Sequence, residues 1–178
     1  MEPILVADER TLLTGMLDRQ RTEIAALLDD LTEEEARARL VPSLTTLMGL
    51  VKHATFVEQV WFHSRVAGVP RKEIGLPDDI DDSFRLDPKD SVESVRAHYL
   101  AACEHSRVVT HGRDLDDEYQ WYSSRVSLRY VLVHMVQELA RHAGQGDILR
   151  EQLLAVRVSR RSRRRPPPRR AGPGSPAR

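Results

Sequence analysis

Apolar residues recur along this chain at helical intervals. Leu12, Leu13, Met16, Leu17, Ile24, Leu27 and Leu28 fall at three- and four-residue steps and their multiples, the spacing that lines one face of an α-helix. They predict a first helix over about residues 8–30, with Arg19, Arg21 and Glu23 largely off the stripe. Residues 31–40 then read as a short connecting helix. Thr32 resembles an N-cap, Glu35 stands three residues later, and Pro42 ends the segment.

A second long helix is predicted from an N-cap at Ser43 to Gly68, just before Pro70, with Leu44, Leu47, Met48, Leu50, Val51, Ala54, Val57, Val60 and Trp61 on it. Residues 69–90, with three prolines and several aspartates, read as a long loop. Loops of that length within one domain are uncommon and often functional. A third helix is expected from Ser91 to Gly112. Its capping box looks incomplete, because position 94 is Ser rather than Glu or Gln. A second loop, 113–126, is rich in acids and carries Tyr119, Trp121 and Tyr122. Ser127 then caps a fourth helix, Leu128 to about Leu154. Four long helical patterns and no convincing alternating strand predict an all-α bundle.

The last residues change the picture of the charge. The chain has 178 residues and a formal net charge of zero. Nine of the 27 basic residues stand from Arg157 onward, where there is no acid. Residues 1–156 therefore hold 18 bases against 27 acids, a net of −9. The folded part is expected over 1–156 and an Arg/Pro-rich disordered tail over 157–178. An acidic body argues against nucleic-acid binding, which needs a basic surface. The single cysteine, Cys103, allows no internal disulfide and sits on an apolar helical face. With no signal-peptide pattern and no apolar run near the roughly 18–20 residues of a bilayer span, a cytoplasmic location is expected.

Candidate chemistry lies on the fourth helix. His134, Glu138 and His142 are four apart. Each such step turns about 40° and climbs roughly 6 Å, so the three share a face. A Glu and a His one turn apart pair an anionic oxygen with an imidazole nitrogen, a mixture suited to zinc and similar ions. One helix cannot surround an ion. His53, among Leu50, Val51, Val57 and Trp61, is expected to face the interior and supply the opposite ligand. A lone interior histidine is more commonly a hydrogen-bonded core residue, and Glu138 alone would suit an ion pair with Arg141. The convergence of groups from two helices is what favours a metal. Trp61 and Trp121 are candidate pocket walls, and Arg141 and Gln145 are candidate contacts to an anionic substrate.

Two segments carry a family resemblance: Leu47-Met-Gly-Leu-Val-Lys-His-Ala-Thr-Phe-Val-Glu58, and Ser127 through Gln145 with its terminal His-Ala-Gly-Gln run. Over residues 8–154 the chain resembles the DinB-like superfamily, most of all its actinobacterial mini-circle-protein type. The resemblance implies an up-down four-helix bundle, often dimeric, that binds one divalent metal. Zinc is foremost, with nickel, iron or manganese as alternatives. The family's ligand positions match His53, Glu138 and His142. Many relatives carry a third His where this chain has Glu138, whereas the mycothiol-dependent maleylpyruvate isomerase branch carries Glu, as here. His134 is then a pocket residue, a candidate catalytic base or a further ligand. The implied activity is thiol transfer or isomerisation with a small thiol such as mycothiol and an electrophilic partner. A non-catalytic metal-binding stress protein and a metal-dependent hydrolase are the alternatives.

Overall fold

The computed structural model describes residues 6–163. The chain is predominantly helical, with one small antiparallel sheet. Helix α1 spans Glu9–Ala26, and the Asp8 side chain caps it by accepting from the Thr11 N–H at 3.1 Å. Helix α2 is a single turn, Glu33–Ala36. Its Thr32/Glu35 capping box closes in both directions. Helix α3 spans Leu47–Glu58 and continues as a π-helical segment, Gln59–Val66. Helix α4 is the short Arg71–Ile74, and a 3-10 turn covers Asp81–Phe84. Helix α5 spans Val92–Thr110. Strands β1 (Glu118–Trp121) and β2 (Ser124–Ser127) lead into α6, Leu128–Arg163.

One continuous core joins the long elements. Helix α6 packs on α1 and α3, and α5 packs on α3 and its π-helical continuation. Leu17, Ile24, Leu28, Met48, Leu50, Phe62, Tyr99, Leu132, Met135 and Leu139 are nearly or wholly removed from water. At about 25 cal/mol per Å² of apolar area, their burial is the main force holding the helices together. Among the described residues, no helix is long and apolar enough to cross a membrane.

Several expectations need correction. The segment 113–126 is not simply a loop. It contains the hairpin β1–β2, in register from Glu118 opposite Ser127 to Trp121 opposite Ser124. Its two-residue turn has Tyr122 at φ 51°, where a sequence signal would be Gly or Asn. Helix α3 starts later than expected, because Thr46 rather than Ser43 accepts from the Gly49 N–H, at 2.9 Å. Residues 69–90 are not structureless, since they include α4 and the 3-10 turn. The box at Ser91 is complete. Ser94 Oγ accepts from the Ser91 N–H at 2.9 Å, and Ser91 Oγ from the Ser94 N–H at 3.0 Å. Arg21, largely off the apolar stripe, is only 6% exposed, and it grips the fully buried Glu58 through two 2.8 Å bonds. Ser127 does cap α6, accepting from the Tyr130 N–H at 3.2 Å. That helix runs past Leu154 to Arg163, through the first residues of the expected disordered tail. The rest of that tail, 164–178, lies outside the described residues.

Candidate metal centre

Helices α3 and α6 cross so that His53 and the pair Glu138/His142 face one another. Donor atoms of the three residues all lie within 4.8 Å of one another. Glu138 Oε1 is 3.1 Å from His142 Nε2 and 3.7 Å from His53 Nε2. The two imidazole rings meet edge to face, their centroids 4.6 Å apart. Both histidines are buried, and the Glu138 side chain is 18% exposed at the floor of a cavity.

The outer nitrogens fix which atoms face inward. His53 Nδ1 is 2.7 Å from Ser83 Oγ, and that hydroxyl donates to the Ile80 carbonyl. The hydroxyl proton is thus committed, so Ser83 Oγ accepts from His53 Nδ1–H. His142 Nδ1 is 2.9 Å from Gln145 Oε1, an oxygen that only accepts. With Nδ1 of each ring engaged outward, Nε2 is the nitrogen turned toward the Glu138 carboxylate. Two Nε2 atoms and a carboxylate oxygen this close together are stable with positive charge among them, supplied by a proton on the imidazole or by a metal ion. The donor set of two imidazoles and one carboxylate suits a divalent ion with positions left open. The outer hydrogen bonds are of the kind that orient metal-binding histidines.

Burial pushes the His53 imidazolium toward deprotonation; contact with Glu138 opposes this, while the charge of His142 adds to it. Contacts with His142 and then His53 hold the Glu138 carboxyl far below the usual carboxylate range, against the effect of its own burial. Burial likewise depresses His134. The Cys103 thiol, 1% exposed, is pushed up to about 12, first by burial and then by the Glu58 charge. A resting thiol with that affinity for its proton is not a nucleophile.

Comparison with known proteins now bears on this geometry. A family model for mycothiol S-transferase matches residues 12–155. The chain belongs to the mycothiol S-transferase family, of DinB-like type. The match runs from within α1 to within α6 and includes all three converging donors. Among solved structures, the crystal structure of a conserved protein from Enterococcus faecalis shares the fold, with a TM-score of 0.65 at 15% identity, covering 83% of this chain and 98% of that one. No curated protein matches the chain.

The other site residues expected from sequence gather on the same cavity, of about 490 Å³. Trp61, Trp121, His134, Arg141 and Gln145 all line it with the three donors. Trp61 meets Trp121 edge to face at 4.7 Å and lies 4.6 Å from the His134 ring. Tyr130 stacks on His134 at 6.0 Å, with the planes 9° apart, and lies 6.4 Å from Trp61. Arg141 Nη1 is 3.6 Å from Glu138 Oε2. His134 stands one turn before Glu138 and is not among the converging donors. Sequence reasoning missed Ser83 and Phe84. The Phe84 ring stacks on His53 at 4.0 Å, 10° from parallel. Both sit in the 69–90 segment, whose length signals function but whose composition does not name the contact. Arg65 and Arg71, also on the cavity wall, were missed too. For Arg65, its position four residues after Trp61 was an available signal.

Proposed function

We propose that this protein is a metal-dependent S-transferase. In this reading His53, Glu138 and His142 hold one divalent cation, zinc foremost, and a small thiol of the mycothiol type is the co-substrate. The observation that carries the reading is the convergence of two Nε2 atoms and a carboxylate oxygen, each imidazole being anchored through Nδ1. Membership of the mycothiol S-transferase family supports the choice of thiol. The packing of α1, α3 with its π-helical continuation, α5 and α6 supports an up-down four-helix bundle as the scaffold.

A cation at these donors supplies the positive charge that favours thiolate over thiol. The chain's own residues do the rest. His134, kept neutral by burial, accepts the thiol proton at a ring nitrogen on the cavity wall. The sulfur then forms a bond to an electrophilic carbon, and the bond pair displaced from that carbon leaves with its substituent or moves to the neighbouring carbon. The proton held by His134 goes to that departing or neighbouring atom. Trp61, Trp121 and Phe84 exclude water from the reacting atoms, and Arg141 and Gln145 border the same space. A cytoplasmic location goes with a cytoplasmic thiol.

The test is turnover of mycothiol with a panel of epoxides and activated alkenes. The metal-loaded protein should form thioether product and the chelated protein should not. His134→Ala should lower kcat by about 10²–10⁴-fold, the contribution of a general acid–base group. Metal-loaded protein inert toward every electrophile in the presence of mycothiol would overturn the transferase reading.

A further inference from the structure

The cavity over the candidate metal centre has a second charged wall, and it is positive. Arg65, from the π-helical segment, and Arg71, from α4, both face it. Arg65 Cζ lies 5.2 Å over the Trp61 ring, 5.8 Å over Trp121 and 5.4 Å over Tyr122. Its Nη1 donates to the Gln120 carbonyl at 3.3 Å. Arg71 Cζ lies 5.5 Å over Phe56, and its Nη2 donates to the Pro77 carbonyl at 2.6 Å. The Nε–H of each is buried and has no hydrogen-bond partner. Among the described residues neither arginine forms an ion pair. Burial disfavours protonation of Arg65; Tyr122 opposes this, and the nearby charge of Arg71 adds to it.

Two guanidinium groups on one cavity wall with no carboxylate beside them present positive charge to whatever enters the cavity, which favours an anionic ligand. A charge count says which ligand. A divalent cation, the Glu138 carboxylate and a thiolate sum to zero, which leaves the proton taken up by His134 and the charges of three arginines on the cavity; Arg141 lies 3.6 Å from the Glu138 carboxylate, whereas Arg65 and Arg71 have no carboxylate beside them. We propose that Arg65 and Arg71 recognise a carboxylate on the electrophilic substrate, while the aromatic faces beneath Arg65 take up a flat, conjugated body attached to it. This rests on the reading of the cavity as a thiol-transfer site. Guanidinium forks match carboxylates in geometry, and such charge-assisted bonds are about twice as strong as neutral ones.

The chain has two tryptophans, and both stand on this cavity wall. Their indole N–H resonances therefore report binding directly. Full-length protein, metal-free and zinc-loaded, is titrated with cinnamate and with its neutral isostere cinnamamide. Cinnamate should bind about 10-fold or more tightly than the amide. That preference should shrink at high salt, survive chelation of the metal, and be lost in the double variant Arg65→Gln/Arg71→Gln. The single variants Arg65→Lys and Arg71→Lys keep the charge without the fork and should retain part of the preference, with helical circular dichroism verifying the fold. Equal affinities for acid and amide in wild type would overturn the proposal without recourse to any variant. So would a preference for acid that vanishes on chelation and survives the arginine substitutions, because the carboxylate would then sit on the metal. Zinc content measured on the same samples separates this failure from failure of the metal reading.

Discussion

At the scale of single residues, the centre depends on atoms that never face the ion. Ser83 takes the Nδ1 proton of His53 because its own proton is engaged by the Ile80 carbonyl. Without that acceptor, His53 loses the bond that selects its tautomer and holds its ring parallel to Phe84. Ser83→Ala should therefore weaken metal binding by about 10–100-fold, the usual cost of removing such a support. Competition with a chromophoric chelator measures it, and an unchanged affinity would show that the hydroxyl does not orient the ligand. Helical spacing placed Glu138 and His142 on one face together with His134, the apolar neighbours of His53 turned it inward, and the family resemblance singled out His53, Glu138 and His142. Ser83 was not legible. It lies 30 residues from His53 in a segment with no periodic pattern, and only the folded path of the chain brings them together.

At the scale of elements, the approach of the 3-10 turn to α3 passes over Gly49. A Cβ there would stand 2.9 Å from the Phe84 carbonyl oxygen and 3.0 Å from Thr46 Oγ1. Gly49→Ala should push the turn away, carrying Ser83 and Phe84 off His53. A loss of about 1–3 kcal/mol of stability is expected from such overpacking, seen as a lower denaturation midpoint with weaker metal binding alongside. The far end of the same excursion is tied by Asp90. Its carboxylate accepts from Lys52 Nζ at 2.6 Å and from the Asp87 N–H at 2.8 Å. Burial raises the Asp90 carboxyl, but the bonds from Lys52 and Asp87, with the charges of Lys52 and Arg37, outweigh it and leave it below its ordinary value. The stability this group supplies is thus present above the unfolded carboxyl value of about 3.9, and is lost as pH falls through the lower folded value. Asp90→Asn should flatten that part of the acid limb in denaturation measured between neutral and acidic pH. An unaltered acid limb would count against the tie.

The long helices were legible because each buries one stripe. The π-helical segment and the hairpin were not. Trp61 and Phe62 are adjacent and both buried. Trp61 faces the Trp121–His134 cluster, while Phe62 meets Arg21 at 5.6 Å. Hydrogen bonds reaching five residues back, as in Ala67 N to Phe62 O at 2.9 Å, widen the helix where these two faces diverge. Plain helical periodicity cannot foresee that. The hairpin turn hides its signal because Tyr122 adopts a backbone conformation that usually marks glycine.

At the scale of the molecule, an acidic helical body brings one carboxylate and two imidazoles together at a cavity floor, beneath aromatic and arginine walls. The buried Arg21–Glu58 pair ties α1 to the last turn of α3, just before the π-helical segment begins. It thereby anchors the element that carries Trp61 and Arg65 into the cavity. The central proposal is a single divalent ion held by His53 on α3 and by Glu138 and His142 on α6, whose donor atoms lie within 4.8 Å of one another. The measurement that tests it most directly is elemental mass spectrometry of tag-free, full-length protein after reconstitution with zinc. Wild type and His134→Ala should each carry about one equivalent, and His142→Ala should carry essentially none. No bound metal in wild type, or as much in His142→Ala as in wild type, would contradict the account and leave His53, Glu138 and His142 as polar residues of a helical core.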